Sequence, residues 1–244
     1  MKLKSILAAL LLLVAGLQTA MAQKMIVTLN DNSKVTYSIS QVKEISFVES
    51  SEEHEWVDLG LPSGTKWATC NVGANSPEEY GDYFAWGETT TKSDYSWSTY
   101  FDTDDNGNTF KKYNYKGFKT ELQLSDDAAA VNWGSPWRMP SLEQLEELYN
   151  SSYTTMVWTQ MNGVNGRKIT SKSNGNSIFL PAAGYHYDSS FHGAGIYGMY
   201  WSRSLSTSYS GSAYFFYFYL EDGGHWFDSN RNCGRSVRPV RVLE

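Results

Sequence analysis

The feature that most restricts this chain lies after Tyr149, where apolar and aromatic residues alternate in short runs cut by Gly, Ser and Asn. "SIFLPAAGY", "GMYWSRS", "SAYFFYFYL" and "SVRPVRV" follow one another to the end. A period of two with β-branched and aromatic enrichment predicts strands, and the punctuation between them predicts turns. Ahead of these, "WTQMNGVNGRKITSK" carries a hairpin signal at Asn165-Gly166. Two helices precede the strands. Ser125 before Asp126 and Asp127 favours a helix N-terminus, with "DDAAAVNW" continuing to Gly134. Ser141 opens the second helix and Gln144 completes a capping box, with Leu142, Leu145, Leu148 and Tyr149 on one face. Earlier still, "WVDLGLPSGTKWATCNVGA" reads as two strands joined through Pro62-Ser63-Gly64, and "YGDYFAWGE" as another. Strands, two helices, then strands predict an α+β domain with a largely antiparallel sheet.

The beginning of the chain points to export. Lys2 and Lys4 are followed by an apolar run from Ile6 to Leu17 and by Ala20-Met21-Ala22, the pattern of a signal peptide over residues 1–22. The run is shorter than the roughly 20 residues that a membrane span needs. Removing the signal takes two of the 20 basic residues and leaves 18 against 26 acidic ones, a net charge of −8. That charge argues against nucleic acid, whose binding rests on neutralising phosphates. No later segment has the length and apolarity of a membrane span. Residues 23–49 read as a small β-rich segment, two strands around Asn30-Asp31-Asn32 and a third short strand after them. "ESSEEHE" supplies a charged linker at 50–55, and residues 56–244 form the main domain. Within it, a long polar loop from Thr89 to about Lys119 is long enough to be functional or mobile.

"VDLGLPSGTKWATCNVGA", "YGDYFAWGET", "LSDDAAAVNWGSPWRMPS", "FLPAAGY" and "GRSVRPVR" occur in that order. Together they resemble the Fibrobacter succinogenes major paralogous domain of secreted bacterial proteins, over roughly Trp56 to Arg241. The N-terminal segment resembles the short β-rich leader that often precedes such domains. The resemblance implies a C-type-lectin-like fold, shared with formylglycine-generating enzymes and with receptors diversified by retroelements. It also implies a C-terminal sheet and loops that form a ligand-facing surface, on a scaffold held by "SVRPVR".

Candidate chemistry narrows from there. A formylglycine-generating oxidase would need two nearby cysteines in its C-terminal region, and Cys233 stands alone there. With Cys70 it is one of two cysteines, expected as separate thiols rather than a bridge. The four His fit no zinc spacing, and His186 and His192 read as surface residues. "DTDDNG" places Asp102, Asp104 and Asn106 before Gly107 as a calcium loop would, with Tyr113 where a bidentate Glu belongs. No other cofactor is implied. No G-x-S-x-G elbow appears, and Asp126-Asp127 reads as helix capping rather than a glycosidase pair. Trp133, Trp137 and Trp201 are expected as core anchors, with Arg138, Arg238 and Arg241 paired to carboxylates. Along "SAYFFYFYL", Tyr214, Phe216, Phe218 and Leu220 form the better core face, and Phe215, Tyr217 and Tyr219 the opposite one. Tyr217, Tyr219, His225, Asp228, Asn230 and Asn232 are expected in one exposed patch, with Trp226 a further ligand-binding candidate; His225, Trp226, Asp228, Asn230, Arg231 and Asn232 read as a loop too rich in Gly and Asn to be core. The expected function is an exported, non-catalytic binding module at the cell envelope, cell surface or outside the cell, taking a protein or glycan ligand. The alternatives are a secreted enzyme on surface polysaccharide or protein, and a structural adhesin or appendage subunit.

Overall fold

The structure is a computed structural model that describes residues 24–28, 34–38, 54–103, 107–114 and 119–241. The chain divides into two compact units, residues 1–50 and 51–244. In the first, β1 (Lys24–Thr28) and β2 (Lys34–Ser38) pair antiparallel with Ile26 opposite Thr36. Lys34, Val35, Thr36 and Tyr37 are all exposed. The signal segment, the turn at Asn30-Asp31-Asn32 and the third short strand lie outside the described residues.

The second unit is α+β. Its strands are β3 (Trp56–Asp58), β4 (Lys66–Ala68), β5 (Tyr83–Phe84), β6 (Trp137–Arg138), β7 (Thr154–Met161), β8 (Val164–Ser171), β9 (Ser177–Pro181), β10 (Tyr185–Tyr187), β11 (Ser190–His192), β12 (Gly198–Leu205), β13 (Ser212–Tyr219), β14 (Asp222–Asn230), β15 (Arg235–Ser236) and β16 (Val240–Arg241). Between β5 and β6 comes α1 (Ala128–Trp133), and between β6 and β7 comes α2 (Leu142–Tyr149). A five-stranded sheet runs β14-β13-β12-β15-β5, a four-stranded one β3-β4-β16-β6, and a three-stranded one β7-β8-β9, with β10-β11 as a separate hairpin. β12 and β15 run parallel, and every other named pair is antiparallel.

Local chemistry explains the helix ends. α2 begins with the expected box: the Ser141 hydroxyl accepts from Gln144 N, and Gln144 Oε1 accepts from Ser141 N at 2.8 Å. α1 starts later than Ser125 suggests. Residues Leu124–Asp126 form a 3₁₀ turn, and Asp127 caps the helix by accepting from Ala129 and Ala130 N–H. The Asp127 carboxylate also accepts from Met139 N at 2.9 Å, so one buried group caps a helix and fixes the following chain. The β7–β8 hairpin turns three residues before the expected place, at Asn162-Gly163, both with positive φ (49° and 83°). Asn165-Gly166 lies inside β8 instead. A Cβ on Gly166 would sit 2.3 Å from the Leu180 carbonyl, so that glycine serves close strand approach rather than a turn.

Both faces of β13 are buried at its centre. Phe215 packs with Trp86, Trp201 and Val237 in one cluster, while Phe216 and Phe218 pack with Leu145, Leu148, Leu180 and Tyr200 in the other. Each such side chain contributes roughly 1.5–3 kcal/mol on burial. Leu220, expected on the core face, lies past the strand end and is exposed. The tail expected as one closing strand is split between two sheets, with Pro239 between β15 and β16. Proline has no N–H for a ladder, and its carbonyl accepts from Ala68 N instead. Trp137 and Trp201 are core residues, but Trp133 is half-buried and stacks on His54 at 3.6 Å. The described parts of the long loop are anchored: Tyr95, Tyr100 and Tyr113 are buried. Cys70 and Cys233 are both free thiols.

Candidate functional site

The C-terminal residues expected as a loop are mostly strand. Residues 222–230 form β14, which pairs with β13 along its length and is the edge of the five-stranded sheet. Gly and Asn lower strand propensity, but a neighbouring ladder overrides that preference. Gly224 has a specific role: it holds φ 112°, and a Cβ there would meet the Phe216 ring at 2.7 Å.

Strand alternation then divides the expected patch. Tyr217 faces His225 across the ladder, and Phe215 faces Phe227, so Tyr217, Tyr219, His225 and Phe227 share one side. Ring centroids confirm the grouping, with Tyr217–Tyr219 at 5.6 Å and Tyr217–Phe227 at 6.0 Å. Trp226, Asp228 and Asn230 pair with Phe216, Tyr214 and Ser212 and therefore lie on the other side. There Trp226 meets Tyr214 edge-on at 5.5 Å, and Asp228 accepts from the Ser206 hydroxyl at 2.6 Å. Asn232 belongs to neither side. It is 1% exposed, with its amide donating to the Tyr95 carbonyl. The expected patch and its neighbour Trp226 thus divide into two separate surfaces and one buried amide, because side chains in a strand alternate.

The first side borders a groove of about 690 Å³. Tyr197, from the segment before β12, joins it, with ring centroids 5.8 Å from Tyr217 and 6.5 Å from Tyr219. Trp158 and Asn165 from the β7–β8 hairpin also line the groove, together with Glu221 and exposed Phe227. The Asn165 amide is committed to the Gly195 carbonyl and to Gln160. The hydroxyls of Tyr197 and Tyr219 make no hydrogen bond among the described residues, though both rings are half-buried. Tyr197, Trp158 and Phe227 were not singled out from sequence. The aromatic spacing around them resembles ordinary core, and only the fold shows that these rings meet at a surface.

The turn after β14, read from sequence as loop rather than core, is buried. Arg231 is 0% exposed and pairs with Asp102 at 3.0 Å, while its guanidinium lies 4.0 Å from the Phe110 ring centroid. Asp102 also accepts from Lys112 and Tyr113 N–H. A carboxylate so enclosed and so occupied is an arginine's counter-charge. Asp104 and Asn106 lie outside the described residues. Among the described residues no group of three or more His, Cys, Asp or Glu could hold a metal.

Arg238, Arg241, Arg138 and Arg235 find neutral partners among the described residues, unlike Arg203, which pairs with Glu121. Arg238 donates to Asn71 Oδ1 at 2.8 Å and to the carbonyls of Ala68, Thr69 and Phe179. Arg241 lies over Trp56 and Trp137, and Arg138 donates to the Leu122 carbonyl. The expected carboxylate partners are replaced by carbonyls and rings, which also satisfy a planar cation. Arg235 stacks 3.6 Å from the Phe215 centroid and 4.2 Å from Trp201, with Nε and Nη1 lacking hydrogen bonds. Burial pushes its pKa down to about 10, partly opposed by Cys233 and Tyr185, so it stays charged at neutral pH. Burial likewise raises the Cys233 thiol, keeping it protonated and unreactive. His186 is lowered by burial and by the neighbouring His192, and its ring stacks on Phe191 at 4.7 Å.

Among the described residues no helix is long and apolar enough to cross a membrane. No family model matches the chain, and neither a curated protein nor a solved structure matches it.

Proposed function

We propose that this chain is an exported binding module of the C-type-lectin-like, major-paralogous-domain type, which takes a glycan in the groove beside Tyr197, Tyr217 and Tyr219. The observation that carries the reading is the pair of uncommitted hydroxyls on half-buried Tyr197 and Tyr219 at the groove wall. A pyranose ring offers apolar C–H faces and a rim of hydroxyls. Tyrosine rings supply a flat apolar surface for the first, at low entropic cost, and phenol oxygens for the second. Trp158 adds an indole ring and Glu221 a polar edge. The groove volume lies within the range of small-molecule sites, roughly 300–1,000 Å³. Export rests on the N-terminal sequence, and the family assignment rests on the five ordered motifs.

A glycan array followed by calorimetric titration of the best hits tests this. Tyr197→Ala with Tyr219→Ala weakens the leading glycan at least tenfold, while Trp226→Ala, on the opposite side of β14, leaves affinity unchanged. Equal losses from both changes would place the ligand elsewhere. An array with no saturable glycan would remove the saccharide reading and return the groove to a protein partner.

A further inference from the structure

A second concave site lies away from the tyrosine groove, where α1, β6, α2, β12 and β16 converge. It is a cleft of about 380 Å³, and two guanidiniums line it, Arg138 and Arg203. The two are not equivalent. Arg203 has Glu121 Oε2 at 3.1 Å, Gln144 Oε1 at 3.0 Å and the Met139 carbonyl at 3.0 Å. Its charge is countered by Glu121, and its Nε and Nη1 are occupied. Arg138 has one bond, to the Leu122 carbonyl at 3.5 Å, and its buried Nε has no partner. It makes no ion pair among the described residues. A carboxylate that interacts with its charge is Asp127, whose oxygens already receive the N–H groups of Ala129, Ala130 and Met139.

One guanidinium on the cleft wall is therefore charged and largely uncommitted, and much of the remaining lining is apolar: Leu124, Ala130, Pro136, Trp137 and Val240. Burying a cation without a partner is costly, and a planar two-oxygen anion matches the guanidinium fork. A phosphate dianion fits less well. It would need a second free cation, whereas Arg203 is neutralised and Glu121 stands beside it with a like charge. We propose that this cleft binds a small organic carboxylate, its oxygens on Arg138 and its carbon skeleton against Trp137 and Leu124. This site stands independently of the glycan reading.

Benzoate is the probe, with benzamide as its uncharged isostere and inorganic phosphate as the competing anion. Each is titrated into the intact chain while the indole N–H resonance of Trp137 is followed by NMR. Benzoate produces a saturable shift, and benzamide and phosphate bind at least tenfold more weakly. Arg138→Met lowers benzoate affinity at least tenfold and Arg138→Lys restores part of it. Leu124 is exposed at 59%, so Leu124→Trp fills the cleft without touching either arginine and blocks benzoate even if Arg138→Met fails to fold. Equal binding of benzoate and benzamide, phosphate binding as tightly as benzoate, or benzoate binding untouched by Leu124→Trp would each overturn the proposal.

Discussion

Arg231 and Arg235 stand four residues apart in the same tail and are both almost fully buried, yet they are held in opposite ways. Arg231 has a buried counter-charge in Asp102, a carbonyl from Tyr113, and rings from Phe110, Trp86 and Tyr100. Arg235 has two aromatic faces and the Cys233 thiol, with no carboxylate partner among the described residues. The first ties the tail to a loop more than a hundred residues earlier. The second props the centre of the five-stranded sheet as a flat, charged spacer between Trp201 and Phe215. A buried ion pair is fragile to the loss of one partner, because the other is then stranded in low dielectric. A stacked cation strands nothing when it goes.

The contrast is broken or sharpened by three changes, read by urea unfolding. The largest effect belongs to Trp201→Ala, which costs about 5 kcal/mol by opening the core beneath Arg235. It also leaves the Phe84 carbonyl without the indole N–H it now accepts at 2.9 Å. A folded variant with unchanged midpoint would show that Trp201 is no anchor. Next comes Asp102→Ala, at about 3–4 kcal/mol, because Arg231 is left charged and enclosed. Combining Asp102→Leu with Arg231→Met recovers most of that loss; if it recovers none, the pair is not what holds this region. Smallest is Arg235→Met, which costs less than about 1 kcal/mol or stabilises, since a flexible apolar side chain keeps the ring contacts without a buried charge. A loss as large as that of Asp102→Ala would erase the distinction.

The local rules were legible where a short stretch settles its own geometry. The Ser141–Gln144 box, the apolar face of α2 and the α+β order of elements all follow from residues within a turn or a strand of each other. Where two local signals competed, neighbours decided. Asn162-Gly163 and Asn165-Gly166 are equally good turn formers, and the approach of the Leu180 carbonyl to Gly166 leaves only the first free to turn. Asp126 and Asp127 looked equivalent, until Met139 N gave one of them a tertiary role. For the candidate site, Tyr217 and Tyr219 were visible in the strand pattern. Their partner Tyr197 was not, because the two segments meet only after β12 and β13 pair.

From the sequence come both helices and most of the strands, since propensity, capping and periodicity act over a few residues; β14, read as a loop, needed the β13 ladder beside it. The sequence also determined that the tail is rich in side chains able to bind something. Only the tertiary structure decided what each of them binds. An arginine reads the same on a surface, against a carboxylate or between two rings, and its environment comes from elements distant in the chain. Thus Arg231 went to Asp102, Arg238 to carbonyls and Arg235 to aromatic faces, while Arg138 kept an uncommitted guanidinium at a cleft. Solvation and partners at long sequence separation set the energy of a charge, and no local pattern carries that information.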